Sequence, residues 1–291
     1  MALRPRTLLL AACWCAVAFL VLLAVAYGSH EARSLDARAL HGFIDLQAQD
    51  GESRTYRIAM LGNPAQIGVM ALALALIALA RGRPRISIAV IGLLAATSVS
   101  SQVLKAVLAY PRYDGVVDGA HVDPAAFPSG HATAAMSIAL AGILVAPPRA
   151  RPFAAVLGTA FALSMGFCIV SLGWHFPSDV VGGFLLATVW TLVIAAALRA
   201  AAERWPERTG RTHVTAAFQR GVDAVATIGA AALAVGLVLG AGLVATTILV
   251  SHPSAVVDFA AEHTAIVAVG AAIALAAAVL LAGVTAALRR S

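Results

Sequence analysis

The sequence predicts an all-α, polytopic membrane protein of eight spans, and three observations predict it. Apolar side chains make up 61% of the 291 residues and charged ones only 12%, about half the ~25% of ordinary soluble domains. Mean hydropathy is +0.90. Alanine, leucine and valine run on for stretches near the ~20 residues that a bilayer-spanning helix needs, which favours helices over a lipid-facing barrel. Soluble, disordered, collagenous, coiled-coil and disulfide-stapled classes are thereby excluded.

The first expected span, Thr7 to Gly28, follows Arg4 and Arg6. Its apolar stretch exceeds the ~7–15 residues of a secretory signal core, so it reads as an uncleaved anchor. Cys13 and Cys15 within it, and Cys168 in the fifth span, have no spaced partners for a zinc site or a disulfide and read as small buried hydrophobes. From Ser29 to Ala59, Leu35, Leu40, Phe43, Ile44 and Leu46 recur among charged residues as a loose helical stripe. Such a helix lies in the membrane interface or packs on protein. The second span, Met60 to Ala80, ends at the cluster Arg81, Arg83 and Arg85; the third, Ile86 to Leu108, carries Lys105 near its far end. The fourth, His131 to Val145, is short, roughly 22 Å at 1.5 Å per residue, so its mouth is expected below the headgroup plane. The fifth runs from Phe153 to Leu172 and the sixth from Val180 to Leu198. Beyond a basic linker, Ala224 to Val250 and Thr264 to Leu288 complete the set, and Gly236 and Gly240 in the former permit close helix packing. The chain divides into 1–59, an anchor with its loop; 60–200, the core; 201–223, the linker; and 224–291, a C-terminal pair.

Charge orients these spans. Of the 20 basic residues, Arg33, Arg38, Arg54, Arg57, Lys105 and Arg112 fall on one side of the alternating spans and all others on the opposite side. By the positive-inside rule both termini are cytoplasmic, and those six residues face outward. The net charge of +6 thus concerns membrane orientation and does not call for nucleic acid. No acidic residue lies in the middle of a span, which argues against an ion-coupled transporter. Abundant alanine and arginine beside a single lysine suit a GC-rich bacterial genome, which would make the outer face periplasmic or extracellular.

Three polar pieces fall on that outer face. Lys105 and Arg112 stand seven residues apart where the third span leaves the membrane; alone they would read as interfacial anchors. Pro128-Ser129-Gly130-His131 opens the fourth span. There serine can cap the helix, the first-turn N–H groups can cradle a phosphate, and an imidazole can deliver a proton. His175-Phe-Pro-Ser-Asp179 opens the sixth span, with the carboxylate about one turn from the ring. Asp179 can hold one ring nitrogen protonated and leave the other nucleophilic. Together, cations, a helix mouth, two histidines and a carboxylate describe phosphoryl transfer through a phosphohistidine without metal or other cofactor. Zinc on the histidines and Asp179 is the weaker reading, because the neighbouring cations oppose a metal and suit a phosphate.

In this order, Lys-x6-Arg, Pro-Ser-Gly-His and His-x3-Asp resemble the three signatures of the type 2 phosphatidic acid phosphatase (PAP2), or lipid phosphate phosphatase, superfamily. The resemblance spans roughly residues 60–198. It implies a six-helix core with the C-terminal pair as an addition, and hydrolysis of a lipid phosphate or polyprenyl pyrophosphate at the outer leaflet of the cell membrane. It also implies His175 as nucleophile, Asp179 as its orienting partner and His131 as general acid, with Lys105, Arg112, Ser129 and the Gly130 backbone as phosphate ligands. Two positions depart from the pattern. Tyr113 follows Arg112 where the family has Pro, and Cys168-Ile169 stand where the third signature begins Ser-Arg. The absent arginine weakens phosphate binding unless Arg33, Arg38, Arg54 or Arg57 replaces it. A noncatalytic lipid-phosphate binder or transporter, and a phosphotransferase, remain the alternatives on the same helices. A homo-oligomer is compatible with the sequence without being indicated by it.

Overall fold

The computed structural model describes the chain except residues 1–3, 49–51, 110–119, 206–219, 222, 226, 240–252 and 290–291. Among the described residues every regular element is helical. The helices are α1 (Pro5–Gly28), α2 (His30–Ala48), α3 (Glu52–Ala59), α4 (Pro64–Ala80), α5 (Pro84–Val107), α6 (Gly130–Val145), α7 (Arg151–Ser171), α8 (Pro177–Arg204), α9 (Asp223–Leu239), α10 (Pro253–Glu262) and α11 (Thr264–Arg289). Proline at the first helical position starts α1, α4, α5 and α8, where a missing N–H costs no intrahelical bond.

Five of these helices, α1, α5, α7, α8 and α11, are long and apolar enough to cross a membrane. The chain is therefore an all-α polytopic membrane protein, although the expected eight spans are not all continuous. The second is broken: Arg54–Gly62 and α4 form a bent pair at 58°, so Met60–Gly62 is a 3-10 turn and the membrane helix begins at Pro64. The fourth is the short helix α6, as its length foretold. Of the seventh, helix is described from Asp223 to Leu239, and the remainder, with Gly240, lies outside the described residues.

Helix α8 is the hub, packed by α1, α6, α5 and α11, while α6 also rests on α7. Two of these crossings depend on glycine. A Cβ at Gly158 would stand 2.8 Å from Ala139 Cβ, and one at Gly183 would stand 2.9 Å from both the Ser129 carbonyl oxygen and the Thr133 nitrogen. Small residues let backbones approach where lipid supplies no hydrophobic drive between helices. Hydroxyl and indole groups add lateral bonds, Ser137 Oγ to Thr97 Oγ1 (3.2 Å) between α6 and α5, and Trp190 Nε1 to Ser100 Oγ (3.0 Å) between α8 and α5.

One end of the bundle is an arginine cluster that closes helix C-termini. Arg81 and Arg83 donate to the Val145 carbonyl at the end of α6, Arg85 to Trp205 after α8 (2.6 Å), and Arg151 to Leu288 in α11 (2.6 Å). Arg81 also pairs with Asp223 at 2.8 Å. The backbone contacts at Val145, Trp205 and Leu288 set cations at the negative ends of helix dipoles. Lys105 and the helix starts at Ser129 and His175 lie at the opposite end from this cluster.

The stripe after α1 packs on protein. Helix α2 lies against α7, α8 and α11, with Leu40 and Phe43 buried in the main core, Ile44 and Leu46 partly so, and Leu35 exposed. The cysteine expectation needs correction. Cys168 is buried, but Cys13 is exposed on the outward face of α1 and Cys15 is intermediate. An apolar thiol needs no protein around it where lipid is the surrounding medium.

Candidate active site

Helix α6 begins with the expected cap. Ser129 Oγ accepts the Ala132 N–H (3.3 Å), and the Ser129 carbonyl accepts from Thr133 Oγ1 (2.7 Å). The turn before it is fixed by Phe127, buried, joined to Pro128 by a cis peptide bond and set against Phe19 and Tyr27 with ring centroids 5.5 and 6.0 Å away. Its ring occupies the space over Gly182, where a Cβ would meet it at 2.7 Å.

Helix α8 begins at the second motif. Asp179 is fully buried; its Oδ2 accepts the Phe176 N–H at 2.9 Å and lies 3.4 Å from His175 Nδ1. A side-chain carboxylate at the third helical position thus takes up an N–H just before the helix and faces the ring one turn back. The Ser129 N–H donates to the Asp179 carbonyl oxygen at 3.0 Å. This bond joins the two motifs directly and holds the mouths of α6 and α8 side by side, 50 residues apart in sequence.

His131 and Lys105 complete the cluster. Lys105 Nζ stands 3.9 Å from where a Cβ on Gly130 would be, so the ammonium reaches the helix mouth, and it interacts electrostatically with Asp179 and Asp123. The His131 ring lies 5.8 Å from that of Trp174, which in turn meets Tyr56 of α3 at 6.0 Å. His131 Nε2 is 3.3 Å from Asn63 Oδ1, within hydrogen-bond reach. Gly62 is pressed against the same ring, and a Cβ there would stand 2.5 Å from His131 Cδ2. The break before α4 therefore serves to bring Gly62 and Asn63 onto His131.

Of the residues singled out from sequence, His131, His175, Asp179, Lys105, Ser129 and Gly130 come together, and Arg112 lies outside the described residues. Ile169 is fully buried in the apolar core together with Cys168, so hydrocarbon fills the position where the resemblance expects a cation. Arg54 and Arg57 share α3 with Tyr56, which bears on Trp174. Among the described residues, no group of three or more His, Cys, Asp or Glu is arranged to hold a metal ion.

Two polar residues were not singled out beforehand. Asn63, which contacts His131, left a faint signal as the Asn-Pro pair that opens a helix. Asp36 of α2 left none: its carboxylate accepts both the Ser178 hydroxyl and the Ser178 N–H, the latter at 3.2 Å. Two carboxylates, one local and one from a helix 142 residues earlier, thereby fix the first turn of α8 beside His175.

A cavity of about 530 Å³ opens on the His131 side, lined at its top by Lys105, Gly130 and His131 and running between α4, α5 and α6. Residues 71–203 match the family model of the PAP2 superfamily. No curated protein and no solved structure matches the chain.

Proposed function

We propose that this chain, whose residues 71–203 match the model of the PAP2 superfamily, generally phosphatases, is a membrane-embedded phosphatase that cleaves a lipid phosphate or lipid pyrophosphate through a phosphohistidine on His175. The observation that carries this reading is the bond from the Ser129 N–H to the Asp179 carbonyl, which sets a phosphate cradle against a buried histidine–carboxylate pair.

In the first step His175 Nε2 attacks phosphorus as the bond to the leaving oxygen breaks. Asp179, at Nδ1, favours the imidazolium character that develops on the ring. Lys105 and the first-turn N–H groups of α6 carry the negative charge of the transferring group. His131 protonates the departing oxygen, and in the second step it takes a proton from the water that attacks the phosphohistidine, releasing inorganic phosphate. Arg112 is assigned to the same cradle from its place in the first motif. No metal enters these steps.

The site end is assigned to the outer side of the cell membrane, periplasmic or extracellular, with both termini cytoplasmic, because the arginine cluster occupies the other end. The test is phosphate release by purified protein from a panel of lipid phosphates and pyrophosphates, with chelator present. Release that His175→Ala abolishes supports the mechanism. Binding without release from folded protein would favour a noncatalytic binder, and transfer to an added alcohol in preference to water would favour a transferase.

A further inference from the structure

Asn63 stands at the N-cap of α4, where an asparagine ordinarily accepts an N–H of its own first turn, with Pro64 at the first helical position. Its side chain makes no such bond. The amide is engaged elsewhere: Nδ2 lies 3.2 Å from Met60 Sδ, and Oδ1 lies 3.3 Å from His131 Nε2. A thioether sulfur accepts and never donates, so the contact with Met60 turns the amide nitrogen away from the ring and the oxygen toward it.

The same corner closes on one edge of His131. The chain bends by 58° between Gly62 and Pro64, and a Cβ at Gly62 would stand 2.5 Å from His131 Cδ2, the carbon bonded to Nε2. The other ionisable groups acting on His131 are His175 and Lys105, both basic. Each histidine of the site thus has one ring nitrogen against a side-chain oxygen, but the two oxygens differ in charge, since Asp179 Oδ2 is the one 3.4 Å from His175 Nδ1. A carboxylate favours the imidazolium, which suits a nucleophile that becomes cationic on phosphorylation. A neutral amide orients a ring and holds its proton less tightly, which suits an acid that must give the proton up.

We propose that Asn63 is the positioning residue of the general acid: its Oδ1 accepts the Nε2–H of His131 and leaves Nδ1 as the working atom. The inference rests on the phosphatase reading. As His175 Nε2 bonds to phosphorus and the bond to the leaving oxygen breaks, the proton on His131 Nδ1 passes to that oxygen, and the ring is left neutral with its proton on Nε2. Nδ1 then takes a proton from the water that displaces His175, which restores the starting charge. The bond to Asn63 persists throughout, so the ring keeps its orientation from one step to the next.

The test is kcat/KM of the full chain in detergent, which reads the step that expels the leaving group, on two phosphates carrying the same alkyl tail. In one, an alkyl phosphate, the departing alkoxide needs a proton; in the other, a nitrophenyl phosphate, the phenolate leaves as the anion. Asn63→Leu removes the acceptor at similar size. Asn63→Ser can cap α4 as well as asparagine does, yet its oxygen ends one bond short of the ring, so a loss shared by both variants does not come from a weakened helix. Both are expected to lose about tenfold on the alkyl phosphate, part of the ~10²–10⁴ that a general acid contributes, and less than threefold on the nitrophenyl phosphate. Equal loss on the two substrates, or a loss below twofold on the alkyl phosphate, overturns the inference. His131→Ala is measured alongside. Selective loss there with none in the Asn63 variants defeats the inference alone, whereas equal loss there defeats the acid role of His131 and the role of Asn63 with it. Absence of release by the wild type from either phosphate defeats the phosphatase reading itself, and this role falls with it.

Discussion

Gly183→Ala tests whether the α6–α8 crossing sets the geometry of the site. The added Cβ would stand 2.8 Å from Thr133 Oγ1 and 2.9 Å from both the Ser129 carbonyl oxygen and the Thr133 nitrogen. Two of these are backbone atoms in the first turn of α6, so no rotamer change relieves the contact. Ordinary van der Waals separation begins near 3.4 Å, so the mouth of α6 must retreat from α8 by about 0.5 Å. Such overpacking costs about 1–3 kcal/mol of stability. The larger effect is on chemistry: the retreat lengthens the bond from Ser129 N to the Asp179 carbonyl and withdraws the cradle from His175, and a displacement near 1 Å costs on the order of 10²-fold in rate. We expect phosphate release to fall about ten- to a hundredfold while the protein stays folded. Gly92→Ala is the control, because nothing lies within 4 Å of its would-be Cβ and helix propensity alone should make it neutral or slightly stabilising. The assay is kcat for each variant beside its thermal unfolding midpoint in detergent. Gly183→Ala with kcat within twofold of wild type would refute the argument.

Asp36→Ala removes the acceptor of the Ser178 N–H and hydroxyl, contacts worth about 1.5–3 kcal/mol when the acceptor is charged. Loosening of the first turn of α8 is expected to lower kcat several-fold with little change in KM, and steady-state kinetics on one lipid phosphate checks this. Ser129→Ala removes the cap of α6 at a cost of about 1 kcal/mol, seen as a lowered unfolding midpoint with weakened phosphate inhibition. Arg151→Met removes a charged donor to the Leu288 carbonyl at the end of α11, and a cost of about 1.5–3 kcal/mol should lower the unfolding midpoint without altering KM. Chelator is expected to leave phosphate release within twofold of its untreated rate, and restoration of lost activity by one particular divalent cation would contradict the metal-free mechanism.

The class of molecule, and the two helix starts that the candidate site is built on, were readable in the amino-acid sequence. Composition and the length of apolar runs follow from what a bilayer demands of a backbone, so the helical membrane fold was legible without coordinates. The motifs at residues 128–131 and 175–179 were legible because helix starts are local: serine caps its own helix, and a carboxylate faces a ring one turn away. The tertiary structure alone decided which groups from distant segments meet. The bond from Ser129 to Asp179, the reach of Lys105 to Gly130, the seat of Asn63 and Gly62 on His131, and the Asp36 carboxylate under Ser178 depend on how helices cross, and no local spacing encodes that. Breaks were equally hidden, since an apolar count runs through Asn63-Pro64 while the chain bends there.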